Sequence, residues 1–202
     1  MNNDIINALE ILPNVLNTLS NYKIEQLKLV TLDNPGWYFS FNTSVPLLKK
    51  SIDWVKLDNT EDDWIYWRVN NNCFEFACST RNLSKSFMVF FNHISEYINH
   101  KFKIRTDGII SHLEDWFYVS CNGDWEHTGG VKLFFKQHVW QLDVDFYDLN
   151  YDCDDKMISS HYDSDCNWFK CWTKDGHFFG NSTCNNLHEI VYAFVDYVNR
   201  QI

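Results

Sequence analysis

Apolar residues recur along the chain with two different periods. Ile5, Leu9, Leu12, Leu16 and Leu19 fall at helical spacing, and Pro13 inside that run is expected to bend or split the helix. Trp37, Phe39 and Phe41 then alternate with Tyr38, Ser40 and Asn42, a period of two that predicts a strand with one buried and one wet face. Residues 62–69 and 73–77 form a predicted hairpin joined through residues 70–72. Leu83, Phe87, Phe90, Ile94 and Ile98 give a closing amphipathic helix.

The same order of patterns then starts again. A helix is predicted over residues 109–119, and a strand follows in which Trp140, Leu142, Val144 and Phe146 alternate with Gln141, Asp143, Asp145 and Tyr147. A second hairpin turns at Asp175-Gly176, and Leu187, Val191, Phe194 and Val198 mark a last helix. Asn186, with Glu189 three residues on, reads as its capping box.

Sliding the sequence by 104 positions superimposes Leu9-Glu10 on Leu113-Glu114, Trp64 on Trp168, Phe74 on Phe178, Asn82-Leu83 on Asn186-Leu187 and Phe90 on Phe194. A one-residue shift pairs Trp37 with Trp140. The chain is therefore read as a tandem duplication, with repeats at 1–102 and 103–202. Each repeat is expected to be an α+β unit with an N-terminal helix, an antiparallel sheet and a C-terminal helix. The repeats are expected to pack as a pseudo-twofold pair, so that the whole chain is a monomer. Strand alternation assigns Trp64, Trp168, Trp37 and Trp140 to the core.

Composition narrows the classes of partner. Of 202 residues, 45% are hydrophobic and 17% aromatic, ample for a packed core. With 27 acids against 17 bases the net charge is −10, which argues against nucleic acid as the main ligand. No apolar run is long enough to span a bilayer and the polar start MNNDIINALE lacks a leader pattern, so no membrane association and a cytoplasmic location are expected. The seven cysteines include no CxxC pair, and reduced thiols are expected. Charge also separates the repeats. Residues 1–104 hold 11 acids and 10 bases, whereas 105–202 hold 16 acids and 7 bases.

The densest candidate chemistry is CNGDWEHTGG, residues 121–130. Glu126 and His127 are adjacent, which is awkward for an acid–base dyad on a strand, and no nucleophile motif or phosphate-binding glycine loop accompanies them. Cys121, Asp124 and His127, with His112 or His138, are conceivable zinc ligands, and a small metal-dependent hydrolase built on Cys121, Asp124, Glu126 and His127 is the competing reading. The favoured reading takes no metal and no cofactor. Asp148, Asn150 and Asp152 fit the opening of a calcium loop, but Cys153 and Ser159 occupy the positions that demand glycine and glutamate, which rejects an EF-hand. Trp116 and Trp125 flank the motif as candidate binding anchors. Residues 143–165 hold Asp143, Asp145, Asp148, Asp152, Asp154, Asp155, Asp163 and Asp165 against one base, Lys156. That belt is either a solvated loop or a docking surface for a cationic protein.

Two groups of motifs resemble the immunity protein 53 family of bacterial polymorphic toxin systems. LEDWFYVSCNGDWEHTGGVKL in the second repeat is similar to the family's opening motif, with Asn122 where an aspartate is expected. TLDNPGW and EDDWIYWRVNNNCFE in the first repeat are similar to its middle and later motifs. Each repeat has lost the portion the other keeps: residues 17–23 face CNGDWEH, and QHVW stands opposite DNPGW. The resemblance implies a non-enzymatic protein that binds a cognate toxin, with Asp124, Trp125, Glu126 and His127 as first candidates for contact and the aspartate belt next. A basic nuclease is the expected toxin class.

Overall fold

The computed structural model describes residues 3–18, 23–44, 50–70, 72–98, 100–151 and 153–201. In chain order the first repeat contains β1 (Asn3–Asp4), α1 (Ile5–Thr18), β2 (Ile24–Leu32), β3 (Gly36–Thr43), β4 (Ile52–Thr60), β5 (Asp63–Asn70), β6 (Cys73–Ser79) and α2 (Leu83–Ile98). The second contains β7 (Ile104–Arg105), α3 (Ile109–Ser120), the single turn α4 (Trp125–Thr128), β8 (Gly130–Lys136), β9 (Val139–Asp145), β10 (Lys156–Ser164), β11 (Asn167–Lys174), β12 (His177–Thr183) and α5 (Leu187–Asn199). Asp4 caps α1 by accepting the Asn7 amide hydrogen at 2.8 Å. Helix α1 stays one element across Pro13.

The chain is α+β, but its large sheet is not divided between the repeats. Ten antiparallel strands run in the order β10-β11-β12-β9-β8-β2-β3-β6-β5-β4, and the repeats join where β2 pairs with β8. In that ladder Leu29 faces Leu133, Lys28 faces Phe134 and Val30 faces Lys132. Leu133 is Leu29 advanced by 104, so the register is unchanged when the repeats are exchanged. A local pseudo-twofold axis passes between these two leucines.

The helices obey the same exchange. Helix α1 packs on α5 and α3 packs on α2, so the first helix of each repeat lies against the last helix of the other. One face of the sheet is thereby covered. Trp37, Phe39, Phe41, Phe74, Phe76, Leu133, Trp140, Leu142 and Phe178 are buried beneath Phe87, Phe90, Phe117, Val191 and Phe194. Phe39 meets Phe87 and Phe90 edge-on at 5.1 and 4.9 Å, the geometry aromatic quadrupoles favour. Burying each such ring stabilises the fold by roughly 1.5–3 kcal/mol.

Two readings of the sequence are corrected, and two strands that it left unassigned appear. Trp64 and Trp168 are half-buried, because it is Ile65, Val69 and Cys171 whose side chains are buried in these strands. Residues 52–60 and 156–164 are strands although neither shows clear alternation. They are the two edges of the sheet and are wet on most positions, which removes the period-two signal. Asn186 does precede α5, yet its amide donates to Asn167 Oδ1 at 3.0 Å and Thr183 Oγ1 at 2.8 Å, and it makes no side-chain cap on α5.

Candidate functional site

The CNGDWEHTGG segment folds as a self-satisfying turn. Asn122 Oδ1 accepts the amide hydrogens of Asp124 and Trp125, both at 2.9 Å, while the Glu126 carboxylate accepts those of Asn122 at 3.0 Å and Gly123 at 2.9 Å. An amide carbonyl does this work as well as a carboxylate, so Asn122 suffices where aspartate was expected. Gly123 sits at φ +94, a left-handed conformation costly for any side chain.

Trp125 is the anchor of this turn. It is fully buried, donates from Nε1 to the Asp145 carbonyl at 3.1 Å, and meets Trp116 edge-on at 5.5 Å. Trp116 is itself buried and donates to the Tyr151 hydroxyl at 2.9 Å. A Cβ on Gly129 would lie 2.0 Å from the Trp125 indole nitrogen, so only glycine lets the indole seat there. Trp125, Glu126 and Trp116 therefore shape the turn and offer almost no side-chain surface. Asp124 and His127 remain exposed.

His127 reaches across to the other repeat. Its Nδ1 lies 2.5 Å from Asp33 Oδ1 in the Asp33-Asn34-Pro35 turn between β2 and β3, and that hydrogen bond raises the imidazole above its ordinary pKa. Thr31 Oγ1 also accepts the Val131 amide hydrogen at 3.0 Å. The DNPGW motif of the first repeat and the GDWEH motif of the second are thus held side by side. Trp37 completes the join, donating to the Thr80 carbonyl at 3.0 Å and packing on Phe117 of α3 at 4.7 Å.

Beside this junction lies a groove of about 630 Å³. Asn34 and Pro35 form one wall, Glu61, Asp62 and Trp64 of the β4–β5 hairpin another, and Tyr118, Val119 and Cys121 at the end of α3 a third. All three family-like motifs contribute to it. A second hollow of about 560 Å³ shares Asn34, Glu61 and Trp64 and extends to Asp58 and Tyr66. Except for Cys121 and Trp64, the latter assigned to the core, these lining residues were not singled out from sequence. Tyr118 and Val119 carried a usable signal, being apolar positions on the polar side of the α3 pattern.

The proposed catalytic chemistry finds little support in this geometry. Burial pushes the Cys121 thiol up to about 12, with the nearby Glu126 charge adding to the shift, so it is protonated at neutral pH and a poor nucleophile or metal ligand. Glu126 is occupied by backbone amides. Among the described residues no three His, Cys, Asp or Glu side chains gather into a metal-binding group.

The aspartate belt is not one surface element. Asp143 and Asp145 lie on β9 against His177, whose Nδ1 is 2.8 Å from Asp143 Oδ1 and whose Nε2 is 3.8 Å from Asp145 Oδ2. Asp148 and Asp154 are exposed in the segment between β9 and β10. Asp155, also exposed there, accepts the Asp175 amide hydrogen at 3.0 Å. Asp163 and Asp165 sit at the β10–β11 turn. Asp152 lies outside the described residues.

A model of the family described as immunity protein 53 matches residues 21–96 and again 110–199. The chain belongs to the immunity protein 53 family. Two matched segments are consistent with the tandem duplication, and membership makes the chain an immunity protein of a toxin system. Comparison with curated proteins and with solved structures gives no match. Among the described residues, no helix is long and apolar enough to cross a membrane.

Proposed function

We propose that this immunity protein 53 member neutralises a cognate toxin domain by binding it, without chemistry of its own, and that the toxin is a basic protein of the nuclease type. The observation that carries this reading is the meeting of GDWEH and DNPGW across the repeat boundary. Family motifs split between the halves of the sequence combine into one surface, with Asp33, Glu126 and His127 helping to hold it. The binding units are the repeats 1–102 and 103–202, acting together as one cytoplasmic monomer.

Within this reading Asp124 and His127 are contact residues, while Trp125, Glu126 and Trp116 act indirectly by holding the turn. The acidic second repeat supplies a field that speeds association with a cationic partner and weakens as salt is added. Exposed Asp148, Asp154 and Asp155 contribute to it directly; Asp143 and Asp145 lie beside His177 and are only partly exposed.

Co-expression with the toxin encoded by the adjacent reading frame tests the proposal. Rescue of growth together with a stable complex is expected. An intact, folded chain that neither rescues growth nor binds that toxin overturns it.

A further inference from the structure

Because the repeats are related by a pseudo-twofold axis, every surface feature at their junction has a counterpart. The groove beside Asn34 and Pro35 has one at Asn14, Asn17, His138, Asp165, Cys166 and Trp168, the positions the 104-residue offset assigns to Tyr118, Cys121, Asn34, Glu61, Asp62 and Trp64 of its lining. Much of the framework is symmetric. Trp37 and Trp140 donate to the equivalent carbonyls of Thr80 and Cys184, and Asn82 and Asn186 make equivalent bonds to the strands beside them. The lining is not symmetric, since Asn14 and Cys166 stand where Tyr118 and Asp62 line the groove. The three-residue turn 33–35 is replaced by Gln137-His138, both at positive φ. An acidic and aromatic lining kept on one side of an otherwise matched pair points to an occupant.

The lining indicates what kind. Glu61 and Asp62 provide carboxylates at the rim, and Asp58 lies along the adjoining hollow. Among the described residues no lysine or arginine lines either space. Three nearby bases are already engaged, Lys85 at 3.7 Å from Asp63 Oδ1, the Arg81 guanidinium 3.7 Å above the Tyr118 ring and Lys56 Nζ 5.4 Å from the centre of the Tyr66 ring. Trp64 adds an aromatic face, and Val119 is 77% exposed at the mouth. Carboxylates set around aromatic rings favour a guanidinium or ammonium carried on an extended segment.

We propose that the groove between the 33–35 turn, the Glu61-Asp62 hairpin and Tyr118-Val119 is the docking site for an arginine- or lysine-bearing segment of the toxin, and that each chain offers one such site. This rests on the immunity reading above and deepens it. The equivalent position around Asn14 and Cys166 takes no toxin.

Titration calorimetry of the full chain with the toxin domain from the adjacent reading frame tests the assignment. One toxin per chain is expected. The double reversal Glu61→Lys with Asp62→Lys should weaken binding by about a hundredfold or more. Val119→Arg, which places a like charge in the mouth without touching the core, should do the same. Thermal melts of both variants should match the parent, since all three positions are exposed. Lys23→Glu on the opposite side of the junction should leave affinity within about threefold. Asp154→Lys with Asp155→Lys should slow association in low salt and change affinity by less than about tenfold. Two toxins per chain, or groove variants that bind as the parent does, overturn the groove assignment while leaving the immunity reading intact. No binding by the parent chain overturns both. A folded variant that associates with a second copy of itself in place of the toxin identifies the groove as a self-association surface and also overturns it.

Discussion

Glu114 of α3 accepts the amide hydrogen of Leu83, the first residue of α2, at 2.8 Å, and its other oxygen accepts from the Ser84 hydroxyl at 2.7 Å. The carboxylate is buried, and it belongs to the opposite repeat. Its counterpart Glu10 does the same for α5, accepting the His188 amide hydrogen at 3.1 Å. Each repeat thus caps the last helix of its partner, satisfying amides that the helix itself cannot and placing acidic groups at its positive end. Glu114→Ala should cost about 1–3 kcal/mol, because it leaves buried donors unpaired. Glu10→Ala, at a wetter site with one such bond, should cost about 0.5–2 kcal/mol. Chemical denaturation of the two variants measures both.

The same caps make stability depend on pH. Burial raises Glu10 to about 7, against which its bond to His188 works in the opposite direction. A carboxyl whose folded pKa lies above its unfolded value of 4.5 binds its proton more tightly in the native state. Its contribution is full below pH 4.5 and is lost as pH rises through about 7. Glu10→Gln should flatten that part of the stability profile, and denaturation midpoints collected from pH 4 to 8 would reveal an unchanged slope if the assignment were wrong.

His127 titrates in a way that reports the junction directly. Its hydrogen bond to Asp33 raises its pKa, so the favourable pairing is complete below 6.5 and fades as pH climbs through the folded value. Asp33→Asn should return the imidazole toward 6.5 in an NMR titration, with little change in stability, since both side chains are largely in water.

Trp125 tests whether the motif is scaffold. Trp125→Ala should cost about 3–5 kcal/mol as a buried aromatic deletion. Gly129→Ala should cost about 1–3 kcal/mol by forcing its methyl into the indole. Near-ultraviolet circular dichroism and melting temperature would register both changes.

The shared sheet and exchanged helices predict one unfolding transition. Leu133→Ala, beside the pseudo-twofold axis, should lower stability by about 2–5 kcal/mol without splitting that transition. Tryptophan fluorescence and far-ultraviolet circular dichroism should trace the same curve. Light scattering should give the mass of one chain, because β8 already occupies the edge that β2 would offer another copy.

Much of this was legible before any coordinates. Offset matches such as Trp64 with Trp168 revealed the repeat, and alternation around Trp37 and Trp140 placed those indoles inside. Asp175-Gly176 marked a turn, and both residues take positive φ. What escaped was whatever depends on the partner repeat. Periodicity in α5 suggested a cap from its own chain neighbour Asn186, whereas the acceptor for its amide comes from Glu10, 178 residues away. Likewise Trp116 and Trp125 read as exposed anchors because nothing local reveals that Asp145, Tyr151 and each other enclose them. The groove is a third case, as its walls come from three separated stretches, two of the first repeat and one of the second.

Joining two copies through β2 and β8 has an outcome that reaches past stability. An assembly of two identical subunits must express every substitution twice, so a change that improves one face alters its mirror image as well. A covalently fused pair is released from that constraint. One junction can lose an acid and an aromatic that the other keeps, one repeat can carry nearly all the net negative charge, and a scaffold born symmetric can address its partner from a single side.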